Sequence, residues 1–258
     1  MHTEVKGLVL RTVDLKESDR LLTIFTEEQG IVTALAKGAR SLKSRKMAST
    51  QQFCYSSFVL YGDRDKYWIK ESSLIESFFG IRGSIEGLAL AGYIVEVLAD
   101  VGVEDREVEL LRLALNSLYA ISSGKYSLDK VKAVFEMRAL SILGFMPEVL
   151  ACHSCGRREG DFYFDIMAGA IECFDCHKRS EASHTTLSEE HEGHIVSILT
   201  EGARIAMSYA IHSPLEKVLS FNVGDEDMRL FSRAAERYAV NHLERSYKSL
   251  EFYNEVKR

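Results

Sequence analysis

Of the five cysteines in this 258-residue chain, four stand as two close pairs, Cys152 and Cys155 in "CHSCG" and Cys173 and Cys176 in "ECFDCHK". Taken alone, the second pair has the Cys-x-x-Cys-His spacing of covalent haem attachment, and any Cys-x-x-Cys can also be a redox dithiol. Counted with the first pair, it falls inside the window of about 15 to 20 intervening residues that marks a four-cysteine zinc site. Four thiolates carried by two tight turns can close a tetrahedron around Zn(II), with Gly156 relieving the first turn. Haem attachment leaves Cys152 and Cys155 unexplained; haem, iron-sulfur and dithiol chemistry stand as the competitors. A closed four-sulfur site has no position for water or substrate, so the expected role of Zn(II) is structural, with His153 and His177 as bystanders. Cys54 sits in an apolar stretch and reads as a small buried side chain.

A second chemistry lies upstream. Residues 36–46, "AKGARSLKSRK", carry Lys37, Arg40, Lys43, Arg45 and Lys46 and no acid, in a chain whose formal net charge is −6. Residues 1–80 hold 12 basic and 10 acidic side chains, net +2, which leaves −8 for the remainder. A cationic loop on an otherwise acidic protein can neutralise phosphates and release their counterions, while the anionic remainder opposes indiscriminate sticking. The bland alternative is a solvated loop. Single strands also need faces on which bases stack, and Phe53, Tyr55, Tyr61, Tyr67 and Trp68 are near enough to supply some, although strand alternation buries every second one.

Motifs for catalysis fail one by one. In "GARSLKS" the loop is a residue short of a nucleotide-binding P-loop, and Leu42 occupies the place of its second glycine. "HEGH", at 191–194, is one residue short of the zincin pattern. Neither a nucleophile elbow nor a dinucleotide fingerprint occurs, which favours a binding protein over an enzyme.

These residues need elements to hold them. Residues 1–80 contain five stretches rich in β-branched and aromatic residues, "VKGLVLRTV", "RLLTIFT", "GIVTALAKG", "FCYSSFVLYG" and "YWIKESSLIESF". Such spacing predicts a five-stranded OB-fold β-barrel, with the basic stretch between its third and fourth strands. From about Ile85 the period becomes helical, over "EGLALAGYIVEVLADVG", "REVELLRLALNSLYAIS" and "LDKVKAVFEMRALSILGF". Ser127 caps the third of these and Gly144 ends it. Helices are also expected over about 187–212 and 225–250. The fold class is therefore α+β and multidomain, an OB domain at 1–80 and a helical domain at 81–258 with a zinc ribbon inserted at about 150–180. That ribbon has few apolar side chains, so its folding and metal binding should be one event. No apolar run reaches the roughly 18 residues of a membrane span, and "MHTEVKGLVLRTVDLKESD" lacks a signal peptide's apolar region, so a cytoplasmic protein is expected.

The combination of "AKGARSLKS" after a third strand, "FEMRALSILGFMPEVLACHSCG", "CFDC" and "RSYKSLEFY" resembles the bacterial recombination mediator family RecO over nearly the whole chain. That resemblance implies a non-catalytic DNA repair and recombination protein in the cytoplasm, at the nucleoid. Such a protein binds single- and double-stranded DNA, anneals complementary strands, and with RecR helps RecA replace single-stranded-DNA-binding protein (SSB). It implies DNA contacts at Lys37, Gly38, Arg40, Lys43 and Ser44, extended by Arg45 and Lys46 of the same basic run. It also implies zinc ligands at Cys152, Cys155, Cys173 and Cys176, and docking of the acidic SSB tail on the helical domain, with Arg138 as the candidate cation. A zinc-ribbon adaptor that binds proteins, with the basic loop incidental, is the rival reading, and a metal or redox enzyme the third.

Overall fold

In the computed structural model, residues 2–63, 66–101, 107–183 and 195–257 are described. The first five strands, β1 (His2–Leu15), β2 (Asp19–Thr26), β3 (Gly30–Ala36), β4 (Tyr55–Asp63) and β5 (Lys66–Glu76), close into a barrel of order β1-β2-β3-β5-β4. All neighbours are antiparallel except β3 and β5, the pattern of an OB-like barrel. Alternation fills its interior with Val5, Val9, Leu22, Ile24, Val32, Ala34, Phe58, Leu60 and Ile69. A register shift between Val9 and Arg11 bends β1, whose first half pairs with β4 and whose second half pairs with β2. At the crossing a side chain on Gly7 would meet Ile24 Cγ2 at 2.6 Å and the Phe25 carbonyl oxygen at 2.8 Å, so only glycine fits.

A 3-10 helix (Phe79–Gly83) leads into α1 (Ile85–Val101), α2 (Glu107–Ser123) and α3 (Leu128–Leu143). The rest comprises β6 (Phe162–Asp165), β7 (Ala170–Cys173), α4 (Phe174–Ser183), β8 (Val196–Leu199), α5 (Glu201–His212), α6 (Asp225–His242) and α7 (Lys248–Val256). The chain divides into two compact units, Met1–Lys125 with Tyr247–Arg258, and Tyr126–Ser246. The change from strand to helix near residue 80 falls inside the first of these units. Helix α1 packs on β1 and β2, and α7 returns to α1, where Tyr247 Oη donates to Asp100 Oδ2 at 3.0 Å.

The second unit is built on α3. Ser127 Oγ accepts from the Lys130 N–H and Gly144 ends the helix at φ 100°, as its flanking residues predict. Lys132 is wholly buried on α3, with its ammonium 3.1 Å from Glu136 and 2.9 Å from Glu236 of α6. Two expected helices are recast. Of the stretch expected to be helical over about 187–212, the part up to 194 lies outside the described residues, Val196–Leu199 forms β8, and α5 starts at Glu201. The one expected over 225–250 is two helices, α6 and α7, separated by a turn in which Glu244 has φ 51°. The cysteine ribbon is also no self-contained insertion. Strand β8 extends the β6–β7 hairpin into a three-stranded sheet, and Phe162, Phe164, Ile166, Ile171 and Leu199 share one core with Met137 and Leu140 of α3 and Phe231 of α6.

Candidate metal centre and nucleic-acid interface

The four paired cysteines converge. Their sulfurs lie within 4.8 Å of one another, all as free thiols, and Cys155 Sγ is 3.7 Å from Cys173 Sγ. A tetrahedron with metal–sulfur bonds of about 2.3 Å has edges of about 3.8 Å, so the set can hold a metal ion. Cys152 and Cys155 flank a tight turn closed by the Gly156 N–H donating to the Cys152 carbonyl at 2.8 Å, with Gly156 at φ 75°. The second pair does not sit on a matching turn. Cys173 ends β7 and Cys176 lies in the first turn of α4. Asp165 Oδ1 accepts from the Met167 and Ala168 N–H groups at 2.8 and 2.9 Å, fixing the β6–β7 turn that delivers Cys173.

Burial pushes the Cys152 thiol up, but N–H groups of Cys173, Cys155 and Ser154 outweigh it and bring the thiol down to about 6. Cys176 is pushed up to about 12 by burial and by its sulfur neighbours, against the guanidinium of Arg179 at 2.8 Å. Crowded thiols resist ionising together without a cation, which is the condition a divalent metal relieves. Both nearby histidines turn to Glu172 instead: His177 Nδ1 is 3.2 Å from Oε2 and His153 Nε2 is 3.7 Å from Oε1. Cys54 is buried in the barrel unit, away from the other four in sequence, and burial raises its pKa.

The basic segment is a chain of turns fastened to the barrel. Gly38, at φ 64°, donates its N–H to Asp19 Oδ1 at 2.9 Å, and the Arg40 N–H donates to the Ser18 carbonyl at 2.9 Å. Farther on, Ser49 Oγ lies 2.7 Å from Ser72 Oγ, the Phe53 N–H donates to the Val9 carbonyl at 2.9 Å, and the Val9 N–H donates to the Cys54 carbonyl at 2.9 Å. Among the cations, Lys37, Arg40, Lys43 and Arg45 are exposed. Arg40 pairs with Asp14 at 3.2 Å, while Lys46 donates to the Ile69 carbonyl at 2.7 Å and burial lowers its pKa. Ser44 is half-buried, and the Lys46 N–H donates to its hydroxyl at 3.3 Å.

Next to this segment the barrel exterior carries an aromatic row. Strand pairing puts His2, Tyr61, Trp68 and Leu35 side by side across β1, β4, β5 and β3, with Leu60 and Ile69 turned inward. Tyr61 and Trp68 lie stacked at 5.6 Å between centroids and 19° between planes. Two residues past Leu35 and Trp68, on the same face, come Lys37 and Lys70. Together with Lys46 they line a groove of about 400 Å³ that Tyr61 and His2 also border. The other three candidate aromatics do not line this groove. Phe53 is buried, Tyr55 donates to Glu27, and Tyr67 packs against the barrel core with its hydroxyl on Gln29 at 3.3 Å. Lys70 and His2 were missed in the sequence, although the alternation that selects Trp68 also selects Lys70.

Arg138 is half-buried on α3 and donates to the Ile211 carbonyl near the end of α5. The "HEGH" stretch lies outside the described residues. No described helix is long and apolar enough to cross a membrane.

Comparison with known proteins matches residues 1–78 to the family described as "Recombination protein O N terminal" and residues 82–251 to "Recombination protein O C terminal". A DNA repair protein RecO from Acetivibrio thermocellus is 34% identical over 259 residues, covering 100% of this chain and 98% of that protein. Another from Alkaliphilus metalliredigens is 27% identical over 99% of this chain and 100% of its own length. The chain belongs to the recombination protein O (RecO) family of DNA repair proteins.

Proposed function

We propose that this protein is a non-catalytic, DNA-binding recombination mediator. It binds single- and double-stranded DNA, anneals complementary strands, and with RecR helps load RecA onto SSB-coated DNA. The observation that carries this reading is the groove that Lys37, Lys46 and Lys70 line together with Tyr61, on which Trp68 is stacked. Cations that track phosphates beside aromatic faces that take bases are the two requirements for holding a single strand. Lys43 and Arg45 extend the phosphate track, with Gly38, Arg40 and Ser44 shaping the turn from which they project. Lys46 acts through the Ile69 carbonyl that it holds more than as a free ammonium.

Zn(II) is the proposed metal, held by Cys152, Cys155, Cys173 and Cys176 in a closed structural site. It supplies a cross-link between the "CHSCG" turn, β7 and α4. Docking of the SSB tail falls to the unit containing α3 and α5, but Arg138 is not its cation in this reading, because its guanidinium already grips α5.

The test is single-strand affinity across salt concentrations. Three to five neutralised phosphates give a log-log slope of about −2 to −3.5 at about −0.7 each. Lys37→Ala/Lys43→Ala/Lys70→Ala should bind more weakly with a slope nearer zero by about 2. An unchanged slope removes the groove and its loop from the mechanism and favours the rival reading of a protein-binding adaptor. The exposed Phe145, Met146 and Met167 of the second unit would be that adaptor's surface.

A further inference from the structure

The basic segment contributes to two cavities that share no lining residue. The first is the aromatic groove. The second, of about 350 Å³, is lined by Thr12, Arg20, Arg40, Met47, Gln52 and Arg82 among others. Lys37 and Lys46 serve the first, Arg40 and Met47 the second.

The chemistry of the second cavity is distinct. Three guanidiniums line it, and two of them share one carboxylate: Asp14 takes Arg20 Nε at 2.9 Å on one oxygen and Arg40 Nε at 3.2 Å on the other. Backbone carbonyls hold the forks in place, with Arg20 donating to Thr50 at 3.4 Å, and Arg82 donating to Gln52 at 3.1 Å and Ser77 at 3.4 Å. Among the described residues nothing accepts from the NH2 groups of Arg20 and Arg40 or from Arg82 Nε. A pre-positioned cluster of net charge +2 with spare planar donors suits phosphate, to which arginine binds as a fork. Among the described residues that line it none is aromatic, and Thr12, Met47, Gln51 and Gln52 offer no ring on which a base could stack. The fitting ligand is a phosphodiester whose base lies elsewhere.

We propose that this arginine cleft holds the backbone of a second DNA strand while the aromatic groove holds the first. The proposal rests on the reading of the groove as a single-strand site. It gives the barrel two tracks of unlike chemistry, one stacking bases and one gripping phosphates only.

The test uses the full chain, saturated with donor-labelled oligo(dT) and then titrated with acceptor-labelled oligo(dT), which cannot pair with it. Sedimentation gives the number of strands per protomer. The parent should take both strands in one protomer, the second with a salt slope of about −1.4 to −2.1 for two to three phosphates. Arg20→Gln/Arg82→Gln should keep first-strand affinity within about twofold of the parent and lose second-strand affinity by about tenfold or more. One strand per protomer in the parent, or a second strand retained by the variant, overturns the proposal. Should the double variant lose both strands, Arg82→Gln alone decides: equal losses mean one continuous track and overturn it, whereas a loss confined to the second strand supports it. Displacement of the second strand by a polyglutamate peptide more readily than by oligo(dT) overturns it in favour of an acidic peptide site. Failure of the parent to bind even the first strand is a different result, which sinks the groove reading itself.

Discussion

With Zn(II) proposed to hold the four cysteines together, its removal should melt the whole unit Tyr126–Ser246 and not merely its ribbon. The ribbon strands place Phe162, Phe164, Ile171 and Leu199 in the same core as α3 and α6, so they cannot leave without opening it. Zinc bound by four thiolates contributes about 10–16 kcal/mol in small zinc-binding peptides, comparable with the whole stability of a domain. Each tenfold rise in free zinc above the dissociation constant should add about 1.4 kcal/mol. For a unit of about 120 residues, with an unfolding entropy of about 0.25 kcal/mol/K, that moves its melting point by about 5 °C per decade. Calorimetry in zinc buffers reads this directly, while emission from Trp68, the single tryptophan, follows the other unit. Cys176→Ser should abolish the dependence. A transition for Tyr126–Ser246 that stays fixed across three decades of free zinc would refute the reasoning.

Three further outcomes follow from particular side chains. Lys132→Met removes the cation that faces the buried Glu136 and should cost about 3–5 kcal/mol in denaturant unfolding, with Lys132→Met/Glu136→Leu recovering most of it. Burial pushes the Tyr238 hydroxyl from 10 up to about 12, so the folded chain keeps this proton longer than the unfolded one. Its contribution is complete below pH 10 and lost as the pH climbs to 12, a fall of about 2–3 kcal/mol that Tyr238→Phe should remove from the alkaline stability profile. Gly169→Ala should destabilise the β6–β7 turn, because its Cβ would lie 2.6 Å from the Tyr238 hydroxyl at φ 65°; a melting point equal to the parent's would contradict this.

What the sequence discloses follows the range of the interactions that encode it. Strand alternation finds all five barrel strands, and local cap chemistry finds both ends of α3, since each is written within a few residues. The cysteine set is equally legible because ligand spacing is a local constraint. The third ribbon strand is not: Val196–Leu199 is four residues long and becomes a strand only by pairing with β6, some thirty residues upstream. The same long range hides the arginine cleft, whose members Arg20, Arg40 and Arg82 are separated in the chain and joined by a carboxylate and a few carbonyls. Arg138 makes a contact of the same long range. Its position in "FEMRALSILGF" suits an exposed cation, yet packing of α3 against α5 turns it onto a carbonyl.

The central claim is that a DNA strand lies along the outer face of the barrel with its bases on Tyr61 and Trp68. Because Trp68 is the single tryptophan, its emission during an oligo(dT) titration reports that contact without a label. Saturable quenching is predicted, with a midpoint that weakens with salt at a slope of about −2 for three lysines. Tyr61→Ala should weaken binding by about 1–3 kcal/mol, the worth of one base stack. DNA binding seen by sedimentation under the same conditions, with Trp68 emission unchanged, would contradict the account.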